Sequence, residues 1–242
     1  MSDVISVKEL NFLSLLKLNI KSPPLVLDIG SNRGDYTSHC RNGGLGANGT
    51  LGVYHLFEPI PYNVSHLKAR FPVAKVHINP IAIDIEEGPA TFHVVGDKTE
   101  EDGMSSLHFR PDVFPKFKHE AIQVQKMRLD NWFHQVYQET KPKIIDLIKI
   151  DTEGNELRVL QSFEKLWDTV EVRAIQFEYG MCWKDSGASI VEMVKYLNSK
   201  GYDVFEHMSL QGSAPLLITA DDYTTRTWDN FFAISRKLWT RK

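Results

Sequence analysis

The sequence has few of the features that would set it apart from ordinary globular proteins. Cysteine occurs only twice, at Cys40 and Cys182, far apart and outside any CxxC spacing. A disulfide scaffold is excluded, and two free, partly buried thiols in a reducing cytoplasmic compartment are expected. No long hydrophobic run exists. The most apolar early stretch, Leu10 to Ile20, is interrupted by Asn11, Lys17 and Asn19. It is too short to cross ~30 Å of hydrocarbon, and it lacks the basic start and small-residue cleavage site of a secretory signal. Asn48-Gly49-Thr50 and Asn63-Val64-Ser65 therefore read as chance matches to the glycosylation acceptor pattern. Neither sign of charge dominates: 28 Lys and Arg face 31 Asp and Glu, for a net charge of −3. That balance leaves no footprint for broad nucleic-acid binding. The nine histidines never fall in an HxxxH or HExxH spacing, which argues against zinc.

What is present is an alternation of short apolar runs and helix-like stretches, the pattern of an α/β domain. The 242 residues, 42% hydrophobic and 24% charged, suffice for one large domain. Residues 1–22 are expected to form a helical extension, with Val7, Leu10, Leu13 and Leu18 on its apolar face, and Pro23-Pro24 to break it from a domain over 23–242. Strands are expected at Leu25 to Ile29, Val53 to Phe57, Lys75 to Asn79, Ala90 to Val95, Ile122 to Met127, Lys143 to Ile150 and Val172 to Phe177. Val204 to Glu206 and Phe231 to Ser235 would add an antiparallel edge pair, with Trp228, Phe231 and Phe232 in its core. Helices are expected at Asp35 onward, Pro59 to Phe71, Leu129 to Thr140, Glu156 to Leu166 and Ala188 to Ser199. The expected fold is thus a Rossmann-like sheet of about seven mostly parallel strands with helices on both faces. The stretch Gly96 to Glu120 is long for a connection and reads as a functional loop.

In open sheets of this kind ligands sit beyond the carboxyl ends of the strands. There the sequence places Asp28-Ile29-Gly30-Ser31-Asn32-Arg33-Gly34, Phe57-Glu58-Pro59, Ile81-Ala82-Ile83-Asp84, Lys149-Ile150-Asp151-Thr152-Glu153-Gly154 and Phe177-Glu178-Tyr179-Gly180. Charged groups at strand ends are costly unless they serve a ligand or are paired. The glycine turn has Asn32 where a dinucleotide fingerprint has its middle glycine, which weighs against a nicotinamide dehydrogenase. Glu58, ending the second strand, is placed to accept hydrogen bonds from a ribose diol.

These blocks resemble the FkbM-type methyltransferases, a branch of the class I S-adenosylmethionine-dependent superfamily. The likeness runs from about Leu25 to Ser235, and Lys149-Ile150-Asp151-Thr152-Glu153-Gly154-Asn155-Glu156 is its most specific part. Ser105-Ser106-Leu107 also matches a short block of the family's middle segment. The resemblance implies S-adenosylmethionine as cofactor, with Asp28, Gly30, Ser31, Asn32 and Gly34 around its methionine end. Glu58 and Pro59 would lie at the ribose, Ala82 near adenine, and Asp151 facing the sulfonium and the acceptor. It also implies a hydroxyl-bearing small molecule or glycan as methyl acceptor; from their positions Ser105, Ser106, His108, Glu153 and Tyr179 are the candidate acceptor contacts.

Asp151, then Glu178, are the candidate catalytic bases. An electrostatic role for Asp151, or a cap of the following helix, stays open. Glu153 and Glu156 also suit a helix start. Asp151, Glu153 and Glu178 are the oxygen ligands a hard cation such as Mg²⁺ would use, but no spacing fixes one and none is expected. A carboxylate or RNA ribose acceptor, and an inactive binding module on the same fold, remain the alternatives.

Overall fold

The computed structural model describes residues 5–20, 22–43, 45, 52–96, 104–109, 118–180, 182–207, 216–218 and 229–239. Its centre is a pair of buried strands, β1 (Leu25–Ile29) and β7 (Ile144–Ile150), which run parallel side by side. Both are near-continuous apolar runs because helices cover the sheet on both faces. Parallel strands β2 (Val53–Phe57) and β3 (Val76–Asn79) extend the sheet beyond β1, and β8 (Glu171–Tyr179) extends it beyond β7. Antiparallel strands complete the far side: β11 (Asp229–Ser235) lies between β8 and β9 (Tyr202–His207), and β10 (Leu216–Ile218) pairs outside β9. The full order is β10-β9-β11-β8-β7-β1-β2-β3, so the edge pair is as expected and the short β10 is an addition.

Alternation along the central strands splits the core in two. On one face Leu27, Ile29, Ile148 and Ile150 pack with α4 (Leu129–Val136), α5 (Glu156–Gln161) and α7 (Ile190–Ser199). On the other, Val26, Leu56 and Leu147 pack with α1 (Val7–Asn19), α2 (Asp35–Asn42) and α3 (Pro61–Arg70). A Ser6–Glu9 capping box starts α1. The face that α1 buries is Phe12, Leu13 and Leu16, whereas Val7 and Leu18 are exposed. This corrects the expected face. Its leucines and other apolar residues fall on more than one row of the helix, and the stacking of Phe12 on Phe232 at 4.6 Å, a long-range contact, chooses between them.

Two expected strands leave the main sheet. Strands β5 (Gly88–Val95) and β6 (His119–Met127) pair antiparallel and, with the two-residue β4 (Ala82–Ile83) beside β6, make a separate three-stranded sheet. Asp84, just past β4, pairs with Lys126 of β6 and Arg158 of α5, both at 2.7 Å, the latter tying this insertion to the main body. Helix α5 also stops earlier than its sequence suggests. Ser162 interrupts it by accepting Leu129 N–H at its hydroxyl and Asp130 N–H at its carbonyl. A four-residue helix not foreseen, α6 (Trp183–Ser186), follows β8. Among the described residues no helix is long and apolar enough to cross a membrane. Cys40 and Cys182 are both free and buried. Asn63 is buried, unlike a glycan acceptor, while Asn48 and Trp228 fall outside the described residues.

Candidate functional site

The carboxyl ends of β1, β2, β7 and β8 meet at one rim. After β1 the chain turns through Gly30 and Ser31, whose N–H groups both donate to Phe57 O of β2, at 3.0 and 3.1 Å. Gly30 has φ +78°, and a Cβ there would stand 1.7 Å from Asp151 O of the neighbouring strand end. Only glycine lets the two backbones approach that closely. Gly34, at φ +82°, is held as tightly: a Cβ would lie 2.5 Å from Phe71 and 2.8 Å from Leu67 of α3.

Asp28 differs from expectation. It is fully buried, accepts a 2.6 Å hydrogen bond from Thr37 Oγ1, and lies 3.7 Å from Lys149 Nζ. Burial raises its pKa, against the pull of Lys149 and Thr37. A carboxylate so enclosed anchors the turn from below and does not line the rim. Glu58 ends β2 with its Oε1 accepting Ile60 N–H at 2.8 Å, which fixes its rotamer at the start of α3. Pro59 beside it is half-buried, and Ala82 is buried against Ile60 in the core of the small sheet.

A polar ligand has ready partners here. Asn32, at φ +44°, carries a buried Oδ1 with no hydrogen-bond partner, and both amide atoms of Asn63 are in the same condition. Asn63 lies one helical turn before Leu67, on the face of α3 that meets Gly34. Buried amides are otherwise satisfied, so these unpartnered atoms leave polar groups beside the turn that a polar ligand could satisfy.

The ends of β7 and β8 are acidic. Asp151, Glu153 and Glu178 each offer a carboxylate oxygen, all within 4.8 Å of one another. Oxygens so gathered suit hydroxyl donors, a cationic ligand or a hard cation. Lys149 reaches in from β7 and binds Asp151 Oδ2 at 3.1 Å and Gly30 O at 3.3 Å. The loop itself is shaped by Glu156, whose Oε1 accepts Thr152 N–H and hydroxyl at 2.8 and 3.0 Å and whose Oε2 accepts Gly154 N–H at 3.0 Å. Burial pushes the Glu156 carboxyl up to about 7, against these hydrogen bonds. Asp84, expected at the same rim, is instead consumed by Lys126 and Arg158.

Ser105 and Ser106 turn inward. Ser105 Oγ accepts Val95 N–H at 3.0 Å, and Ser106 Oγ donates to Glu153 O at 2.9 Å while accepting His108 N–H. Through these hydrogen bonds the pair pins residues 104–109 over the acidic loop. His108 does lie at the site, since a Cβ on Gly154 would meet its ring at 3.6 Å. Tyr179 is half-buried, its ring edge-on to Trp183 at 5.1 Å, and Trp183 Nε1 donates to Glu178 O.

Residues 28–204 match the methyltransferase FkbM domain, more than half of the chain. The chain belongs to the FkbM methyltransferase family. It is accordingly an S-adenosylmethionine-dependent methyltransferase. Among curated proteins none matches it. Of solved structures, an O-methyltransferase from Bacillus cereus is similar in fold, with TM-score 0.50 and 12% identity over 98% of this chain and 84% of that one. An rRNA methylase from Streptococcus thermophilus gives TM-score 0.47 and 10% identity over 96% and 98%. A precorrin-6y C5,15-methyltransferase from Geobacter metallireducens gives 0.43 and 11% over 97% and 93%.

Within this FkbM domain, sequence reasoning gave no part in the site to Lys149 or Asn63, and only a helix-start role to Glu156. The signal for Lys149 was legible: an ammonium inside Ile-Ile-Asp-Leu-Ile-Lys-Ile, a strand buried on both faces, requires counter-ions. Glu156 looked like a helix-start acid, and only the fold turns its carboxylate back onto the loop.

Proposed function

We propose that this FkbM methyltransferase transfers methyl to a hydroxyl of a sugar, glycan or related neutral small molecule. The observation that carries this reading is the cluster of Asp151, Glu153 and Glu178, with oxygens within 4.8 Å at the strand ends. Such a cluster accepts hydrogen bonds from hydroxyls and repels phosphates, which disfavours RNA. Phe109, 58% exposed and flanked by the rings of His93 at 5.0 Å and His119 at 6.2 Å, adds an aromatic platform for a ring-shaped acceptor.

S-adenosylmethionine supplies a methyl group activated by a sulfonium. The residues of the turn and Glu58 hold it, and alignment of acceptor and methyl can supply ~7–11 kcal/mol of the barrier. Asp151, with Oδ2 fixed on Lys149, takes the hydroxyl proton or passes it to Glu178; a base in place contributes roughly 10²–10⁴-fold. The deciding experiment follows labelled methyl from S-adenosylmethionine into panels of sugars, carboxylic acids and RNA, with mild alkali to separate ethers from esters. Alkali-stable label on a neutral hydroxyl compound, lost roughly 10²-fold or more in Asp151→Asn, is expected. Label on RNA or in alkali-labile esters, or full turnover by Asp151→Asn, overturns the reading.

A further inference from the structure

Lys149 is an expensive residue in its place. Its side chain is 10% exposed, on a strand buried on both faces. The ammonium meets three acceptors from three parts of the site: Asp151 Oδ2 at 3.1 Å on the acceptor side, Gly30 O at 3.3 Å in the glycine turn, and Asp28 Oδ1 at 3.7 Å beneath it. The Tyr36 ring closes its flank with its centroid 5.6 Å from Nζ. Asp151 Oδ2 and Gly30 O lie within hydrogen-bond distance of the ammonium, and Asp28 Oδ1, just beyond it, stands as a buried counter-charge.

We infer that Lys149 is a positioning residue that joins the glycine turn to Asp151, holding the Asp151 carboxylate toward the sulfonium so that the site favours the charged cofactor over its neutral thioether product. The inference rests on the reading of Asp151 as the carboxylate that faces the sulfonium. Two effects of removing the lysine then pull in opposite directions. As a bare counter-charge, Lys149 repels a cationic cofactor, and its loss would tighten S-adenosylmethionine. As a positioning group, it keeps Asp151 in place, and its loss frees that carboxylate to turn into water and weakens S-adenosylmethionine selectively. The product, which has lost the sulfonium charge, is nearly indifferent to where Asp151 points. The ratio of the two affinities therefore isolates the positioning role.

The experiment is calorimetric titration of the full chain with S-adenosylmethionine and, separately, S-adenosylhomocysteine, alongside thermal unfolding. The variants are Lys149→Met, Asp28→Asn, Asp28→Asn/Lys149→Met and Asp151→Asn. Lys149→Met leaves Asp28 buried without its ammonium and is expected to lower Tm, and the double variant removes that stranded charge and restores it. In both, S-adenosylmethionine weakens about tenfold while S-adenosylhomocysteine changes by less than about threefold. Asp28→Asn alone keeps the wild-type ratio, because Asp28 acts from beneath the turn. Equal weakening of both ligands, recovery of the ratio together with Tm in the double variant, or tighter S-adenosylmethionine binding overturns the proposal. Asp151→Asn separates the two claims. If it leaves the ratio unchanged, the placement of Asp151 fails. If it shifts the ratio and Lys149→Met does not, the role of Lys149 fails.

Discussion

Two groups of acids in this molecule share a residue type and part company in every other respect. Asp84 and Asp130 are each buried against an arginine and a lysine: Asp84 with Arg158 and Lys126, and Asp130 with Arg128 at 2.7 Å and Lys165 at 3.9 Å. Burial alone would raise both carboxyls, but the hydrogen bonds and charges of their partners outweigh it and hold both below the usual carboxylate range. Asp151, Glu153 and Glu178 crowd one another at the strand ends, with Lys149 binding Asp151. The first group spends its charge inside the protein and stabilises it. The second gathers charge at the strand ends, where, on the proposed reading, a cofactor sulfonium and an acceptor complete the balance. Counting acids at strand ends from sequence cannot separate the groups, because Asp84 meets Lys126 and Arg158, and Asp130 meets Lys165, only in the folded chain.

The largest effect expected from this contrast is on stability at Asp84. Asp84→Asn should lower unfolding free energy by about 3 kcal/mol, the low end for breaking a buried pair, because Arg158 keeps some access to water. S-adenosylmethionine affinity of the folded protein should stay within about threefold. The native pKa of Asp84 lies below its unfolded value, so its contribution is present above that value and is lost as pH falls through the native one. Urea titrations of wild type and variant at several acidic pH values test both statements, and an unchanged midpoint would dissolve the distinction between the two groups.

Glu58→Ala should show the opposite profile. Loss of two hydrogen bonds from ribose hydroxyls to a carboxylate predicts a rise in S-adenosylmethionine Kd of roughly tenfold or more. Calorimetry reads it directly, and a change under about twofold would remove Glu58 from the cofactor site.

Glu156 stands between the groups, buried like the first and shaping the loop of the second. Its pKa is raised to about 7 in the fold, so its stabilisation is full below the ordinary value of 4.5 and declines as pH climbs through about 7. A slope of about 1.4 kcal/mol per pH unit is expected in that window and should vanish in Glu156→Gln. Urea unfolding at pH 5, 6, 7 and 8 measures it. The smallest effect is expected from chelation. If the cofactor and Lys149 balance the rim acids, EDTA should change turnover by less than about twofold, and abolition of activity would make the acidic cluster a metal site.

Much of the sheet was legible because buried parallel strands announce themselves. Leu25 to Ile29 and Lys143 to Ile150 are apolar runs bounded by turn residues, and both are central strands here. Ala90 to Val95 and Ile122 to Met127 alternate just as well, yet they build the small sheet, because period-two patterning specifies a strand and not its partner. The face of α1 was misread for a related reason: its apolar residues offer more than one row, and Phe232 far along the chain selects one. At the site, Gly30, Glu58 and Asp151 stand at the expected strand ends. The inward turn of Ser105 and Ser106 could not be read, since a serine hydroxyl serves a ligand and a backbone carbonyl equally well.

By itself the sequence determined the α/β class, the central strands, the glycine turn and the acidic block that follows β7. These are local properties, set by periodicity, backbone freedom and neighbouring residues. Only the tertiary structure decided which charges are spent and which are kept. It set Arg158 and Lys126 on Asp84, folded Glu156 back onto its own loop, and slid Lys149 between Asp28, Gly30 and Asp151. The worth of a buried charge depends on partners distant in sequence, and only the folded chain brings those partners together.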